Sequence, residues 1–222
     1  PRGQKEGAIL YKGTPLEQVD NRTQAAKIGF VLQDPDSQIV TDKVWHELAF
    51  GLENMGVEQN IIRRRVSEMA SYFGIETWFD KRVEELSGGQ KQLLNLASVM
   101  VMQPEILILD EPTAGLDPQG AVQMMNLFRE LNQRYGKTVL VVTHDMEHVL
   151  NYCDEVVVMK KGEIYSHTTV AEFFKDTTYL DELHILPPAI VRVRQKLNAK
   201  GFHLPVDCYD MKTLCAYIAK EV

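Results

Sequence analysis

Apolar positions along the chain fall into two patterns: short continuous runs, and recurrences at three- and four-residue spacing. The first pattern predicts strands and the second predicts helices with one buried face. Residues 8–11 and 27–32 read as short strands, with Lys12–Gly13 as a turn after the first. Trp45, Leu48, Ala49, Leu52 and Met55 place a helix over 42–55, and Ile62, Val66, Met69, Ala70 and Phe73 place another over 59–73, with Gly74 as its stop. A further helix is expected from about 89 to 101, after a Gly-Gly pair. Ile106–Leu109 and Thr138–Val142 are uninterrupted apolar runs, the signature of strands buried on both faces of a parallel sheet. Between them, 118–134 reads as a helix with Pro118 in its first turn. A helix to about Tyr152 follows, then a hairpin of 155–159 with 163–166 about Lys160–Lys161–Gly162. The alternation predicts an α/β body with a helical insert. Past about residue 180 the character changes: Pro187–Pro188 opens a basic helical stretch over 189–199, and a short helix over about 210–220 closes the chain.

Composition narrows the function classes. Of the 222 residues, 45% are apolar and 25% charged, which supplies a core and disfavours disorder as the main state. Against 31 acidic residues stand 24 Lys and Arg, a formal charge of −7, so a surface dedicated to nucleic acid is not expected. The three cysteines, Cys153, Cys208 and Cys215, are widely spaced and form neither a disulfide framework nor a metal pair. They fit a reducing compartment. No run approaches the roughly 20 apolar residues of a membrane span, and the first residues lack the pattern of a secretory leader.

The chemistry-bearing residues come in a fixed order. Gln33 opens a polar loop, Gln33–Asp34–Pro35–Asp36–Ser37–Gln38. Leu86–Ser87–Gly88–Gly89–Gln90 precedes a helix, and Asp110–Glu111 ends the strand run that starts at Ile106. Gly115–Leu116–Asp117 leads into the next helix, and His144 follows the strand 138–142. Each has an ordinary structural explanation: Ser87 and Asp117 as helix caps, Asp110 and Glu111 as loop carboxylates, His144 and Gln33 as polar loop residues. The chemical explanation is also physical. A carboxylate at the C-terminal end of a parallel strand sits where α/β proteins bind ligands, and it is a hard oxygen donor suited to Mg²⁺. Small residues ahead of a helix leave free N–H groups that attract an anion.

Taken together, in this order and on these elements, over roughly residues 8–175, the motifs resemble the nucleotide-binding domain of ABC transporters. The resemblance implies an α/β fold, a P-loop NTPase-type parallel sheet with the ABC helical subdomain (about 42–100) within a domain of residues 1–180, and a small C-terminal extension over 181–222. It implies ATP and Mg²⁺ as ligands. Asp110 and Gln33 are expected near the metal. Glu111 would polarise the attacking water, and His144 would hold the γ-phosphate and that water. Ser87, Gly88, Gly89 and Gln90 would contact ATP held by an opposite subunit, and Asp117 would cross the dimer interface. His46 and His148 lack such support and are expected on helix surfaces.

One motif of that family is not found. No stretch reads GxxxxGK followed by Ser or Thr. Gly136–Lys137–Thr138 imitates its end, but Leu131 stands where Gly is required and a strand follows instead of a helix. Arg2–Gly3–Gln4–Lys5–Glu6–Gly7 is no better. The expectation is therefore a domain missing its N-terminal strands and P-loop, through excision, omission of upstream residues or degeneration, and inactive as a 222-residue chain alone. Within the family, Gln33–Gln38, residues 41–56 and residues 93–105 resemble the energy-coupling factor ATPases of vitamin, cobalt and nickel importers, closest to the first half of tandem-ATPase members. That branch implies a second ABC ATPase domain and a transmembrane coupling protein as partners, the latter in a groove beside the Gln33 loop and the helical subdomain. It places the protein peripherally, on the cytoplasmic face of the membrane. Two other readings stand beside it: a non-catalytic regulatory half of a paired ATPase, and a soluble ABC ATPase with no membrane partner.

Overall fold

A computed structural model of the chain describes residues 6–175, 180, 183, 185–205 and 208–221. It divides into two units, Pro1–Val142 and Thr143–Val222. The boundary expected near residue 180 falls inside the second.

The first unit is organised around three parallel strands, β3 (Ile28–Val31), β4 (Ile106–Asp110) and β5 (Thr138–Val142), in the order β3-β4-β5. Phe30 lies opposite Ile108 and Ile108 opposite Leu140, so all three share one face. The alternate residues Val31, Leu107 and Leu109 are buried. Burial of both faces, expected from the apolar runs, is not what forms. Phe30 is 53% and Leu140 52% exposed, because packing against helix α4 (Gly88–Met100) closes the other face. That packing is close: a Cβ at Gly29 would stand 2.5 Å from Val99 Cγ1 and 3.1 Å from Leu107 Cδ2.

The helical insert comprises α2 (Val44–Asn54) and α3 (Gln59–Phe73), which share a core with α4. Val44, Leu48, Leu52, Ile62, Val66, Ala70, Leu94 and Ala97 form its centre, all within 1% of full burial. The three-and-four spacing of these residues is what predicts the helices, and the observed bounds depart from prediction by at most two residues. Gly74 takes the left-handed backbone (φ 68°) that ends α3. Helix α5 (Pro118–Tyr135) is capped by Asp117 and stopped by left-handed Gly136.

Ahead of β3, strands β1 (Leu10–Tyr11) and β2 (Thr14–Pro15) pair antiparallel about Lys12–Gly13, both at positive φ. Helix α1 (Asn21–Lys27) follows, its first turn capped by Asp20 Oδ1, which accepts from Thr23 N at 2.9 Å. The chain thus carries strands N-terminal to the sheet, contrary to the expectation that they are missing. The hairpin is held by Glu105, at the foot of β4. Tyr11 Oη donates to it at 2.8 Å, and Lys12 and Lys27 pair with it at 2.6 and 3.0 Å.

In the second unit, α6 (Met146–Tyr152) starts on Asp145, which accepts from Glu147 N and His148 N. Strands β6 (Glu155–Lys160) and β7 (Glu163–Thr169) form the expected hairpin about Lys161–Gly162, and a short α7 (Val170–Phe173) follows. Helices α8 (Ala189–Asn198) and α9 (Met211–Glu221) share one core with these elements, through Met146, Phe173, Phe174, Val191 and Leu214. Arg194 is buried, donates to Phe174 O at 2.8 Å and lies over the Tyr209 ring. Glu147 accepts from Ala189 N at the start of α8.

Two outcomes test this packing. Gly29→Ala should cost about 1–3 kcal/mol in denaturant unfolding, because the clashing Val99 is short, branched and fixed on a helix. Gly51→Ala is the control, since its Cβ would meet only the thioether of Met102, which can move. The second concerns acid. Hydrogen bonds from Lys12, then Tyr11, then Lys27, lower the Glu105 carboxyl from 4.5 to about 2. A depressed carboxyl stabilises the folded state above its unfolded pKa, and that contribution disappears as pH falls from 4.5 to about 2. Glu105→Gln should flatten the pH dependence of the melting temperature across that window and leave its slope nearer neutrality unchanged.

Candidate functional site

Parallel pairing sets the geometry of the strand ends. Val31 lies opposite Leu109 and Asp110 opposite Val142, so the residues after β3 and those ending β4 leave the same edge of the sheet. Gln33 is exposed two residues beyond Val31, Asp110 is exposed at the last position of β4, and Glu111 is half-buried next to it. Glu111 has a left-handed backbone (φ 43°), rare for a residue with a side chain, and its N–H donates to Val142 O at 2.9 Å. The turn is completed by Ala114 N donating to Glu111 O. Reversal of the chain at Glu111 is thus built into β4–β5 pairing. Strained, non-glycine left-handed backbone of this kind is concentrated at functional sites.

A second group lies at the start of α4. Ser87 caps the helix: its Oγ accepts from Gln90 N at 3.3 Å, and Gln90 Oε1 accepts from Ser87 N at 2.9 Å. This is a reciprocal capping box. The ordinary structural role of Ser87 and Gln90 is therefore present in full. Ser87 and Gly88 are exposed, and a Cβ at Gly88 would meet nothing, so the first N–H groups of α4 open outward. Asp117 Oδ1 accepts from Gly120 N at 2.6 Å as the cap of α5. Ser87, Gly88, Gly89, Gln90, Gly115 and Asp117 line one groove of about 830 Å³, which includes none of Gln33, Asp110 and Glu111. The structure therefore brings the predicted residues of the first unit into two groups, one at the strand ends and one at the α4 start. His144 belongs to the second unit, where it is exposed ahead of α6.

Among the described residues no three His, Cys, Asp or Glu side chains cluster as a metal cage. Asp110, one exposed carboxylate, and the amide of Gln33 are hard oxygen donors. Such a sparse set fits Mg²⁺, which keeps several waters and shares its shell with phosphate oxygens.

Local patterning leaves out a third group, formed by the loop between β3 and α2. Gln38 Oε1 accepts from Leu32 N at 2.8 Å and from Asn95 Nδ2 of α4 at 3.0 Å, while Gln38 Nε2 donates to Phe30 O. At the far end of the loop, buried Glu47 of α2 accepts from Val40 N and Thr41 N. Gln38, Val40, Glu47, Phe50, Met55 and Met102 help line a groove of about 770 Å³ between β3 and the helical insert. Phe30, Val40 and Phe50 expose apolar surface there. Buried Glu47 and Asn95 in otherwise apolar helix faces were the available sequence signals for these ties.

These features coincide with the comparisons. A family model described as ABC transporter matches residues 2–114. An ABC transporter ATP-binding protein of Bacillus thuringiensis subsp. konkukian is 38% identical over 226 residues, covering 100% of this chain and 41% of that protein. The energy-coupling factor transporter ATP-binding protein EcfA1 of Methanospirillum hungatei is 34% identical over 195 residues, covering 88% of this chain and 70% of that protein. The solved structure of cbiO1 from Clostridium perfringens, part of the ABC transporter complex cbiONQ, superposes with a TM-score of 0.71 at 36% identity, over 86% of this chain and 76% of that one. The chain belongs to the ABC transporter family and carries its ATP-binding domain, of the energy-coupling factor type. It spans about two fifths of the length of the first curated relatives it matches, 41% and 38%.

The match also corrects the expectation of a domain lacking its N-terminal strands and P-loop region. It opens at residue 2 and takes in the N-terminal segment, where β1 and β2 precede the sheet. Residues 2–5, weighed above as a phosphate loop, lie outside the described residues.

Proposed function

We propose that the protein binds and hydrolyses ATP and that this drives an energy-coupling factor type importer of a vitamin or a transition-metal ion. The observation that carries the reading is the pair Asp110–Glu111: adjacent carboxylates at a strand end, where the backbone of Glu111 is left-handed. In this reading Asp110, with Gln33, holds Mg²⁺. The ion, when bound, neutralises phosphate charge. Glu111 accepts a proton from the water that attacks the γ-phosphate, and His144 donates a hydrogen bond to that phosphate. Gly88 and Gly89 present open N–H groups, and Ser87 and Gln90 their capping side chains, to the ATP of a second ABC domain, and Asp117 reaches across the same interface. The groove lined by Val40, Phe50, Met55 and Met102 receives the transmembrane coupling protein. No described helix is long and apolar enough to cross a membrane, so in this reading the membrane is reached through that partner, from the cytoplasmic face. The likeness to cbiO1, named as part of a transporter complex, supports the assignment of partners.

The test separates the two carboxylates in the full-length protein. Glu111→Gln should keep ATP binding and lower turnover by about 10²-fold or more. Asp110→Asn should weaken nucleotide binding in Mg²⁺ but leave binding in EDTA unchanged. Phosphate release and equilibrium nucleotide binding give both quantities, and normal turnover in Glu111→Gln would defeat the reading.

A further inference from the structure

Helix α4 is tied by side chains to both loops that carry the proposed phosphate chemistry. Lys91 Nζ meets Asp36 Oδ1 at 2.6 Å, and Asn95 Nδ2 donates to Gln38 Oε1 at 3.0 Å, both in the loop that begins at Gln33. Between them on the helix, Gln92 Nε2 donates to Pro112 O at 3.3 Å, the residue directly after Glu111. Gln92 is 3% and Asn95 0% exposed. Apolar side chains would fill these positions without the cost of burying an amide. In both, the amide oxygen (Gln92 Oε1 and Asn95 Oδ1) has no partner among the described atoms, so each amide is held through its nitrogen. For Asn95 that nitrogen donates to Gln38. Gln38 in turn fixes the backbone at Phe30 and Leu32, immediately ahead of Gln33.

We infer that Asn95 is a positioning residue for ATP turnover: through Gln38 it fastens the segment carrying Gln33 to the helix whose first turn carries Ser87–Gly89, so that the two move as one body. The inference rests on the proposed ATPase reading. Two ties join this loop to α4, the ion pair of Lys91 with exposed Asp36 and the bond from Asn95 to Gln38, and only the second starts from a fully buried side chain. A change in backbone at Gln33 is then passed to the start of α4 through a bond whose donor is fully buried and whose acceptor is half-buried. Without it, the loop is still held at Glu47 and the helix by its apolar core, so folding survives while the linkage loosens.

The experiment uses the full-length protein with Mg-ATP. Asn95→Leu keeps the branching and heavy-atom number of the side chain, removes the donor and removes an unpartnered acceptor, which offsets the larger volume of its methyl groups, so its melting temperature should stay near that of the wild type. Its kcat should drop about three- to tenfold, the range of one neutral hydrogen bond, with KM for ATP unchanged. Gln38→Leu, which also loses the bonds to Phe30 O and Leu32 N, should lower kcat by at least that factor, and adding Asn95→Leu to it should lower kcat no further. Wild-type kcat in folded Asn95→Leu, or losses that multiply in the double variant, would overturn the inference. Hydrogen exchange on the wild-type protein needs no variant. On nucleotide binding, amides over 32–41 and over 87–95 should gain protection together, and protection of one segment without the other would overturn it. A wild-type protein that binds ATP but never releases phosphate would refute the ATPase reading instead, and the exchange result would still decide the coupling.

Discussion

Burial of α4 on two sides at once is the constraint on which the first unit depends. One side enters the core of α2 and α3 through Leu94, Ala97 and the following Val101. Another presses Val99 against Gly29 so closely that β3 has room for no side chain there. A helix held in this way cannot tilt without opening an apolar core, and the cost of opening such a core is large compared with the stability of a domain. The position of Ser87 and of the open N–H groups after it is therefore set by the interior of the protein and not by the loop that precedes them.

The same constraint explains why the predicted residues fall into two groups. Parallel pairing of β3, β4 and β5 delivers Gln33, Asp110 and Glu111 to one edge. The start of α4 and the turn before α5 share a separate groove. Two such surfaces on one unit suit a reaction in which each copy supplies half of a site, which is the arrangement proposed above. The proposed coupling groove borders the same helix through Ser98 and Val99, and the turn after it through Met102. Helix α4 thus touches each surface on which the proposed function depends.

Much of this was legible in the sequence because it is local. The bounds of α3 and β5 coincide with the apolar periodicity, and Gly74 and Gly136 end helices for the conformational reason their composition implies. The capping roles of Ser87 and Asp117 were equally readable, since a cap and its helix are neighbours in sequence. Helix α1 was not read, although Asp20 is an ordinary N-cap signal, because its seven residues Asn21–Lys27 bury no side chain and so leave no periodicity. Long-range ties are the other omission. Nothing within a few residues of Glu105 announces Tyr11, Lys12 and Lys27 as its partners, and nothing near Asn95 announces Gln38. The one-sided burial of the sheet was hidden for a related reason. An apolar run states that a strand can be buried on both faces, whereas which faces are covered depends on where helices pack.

The central claim is that the start of α4 serves a nucleotide held elsewhere than in its own domain. Ser87→Arg in the full-length protein tests it most directly, because a long cation then replaces a small donor at an exposed helix start. Two quantities are measured: equilibrium nucleotide binding by the isolated monomer, and ATP-dependent crosslinking between subunits near Asp117. Binding by the monomer should persist while crosslinking is lost. Loss of nucleotide binding by the monomer itself would place Ser87 in its own domain's site and contradict the account.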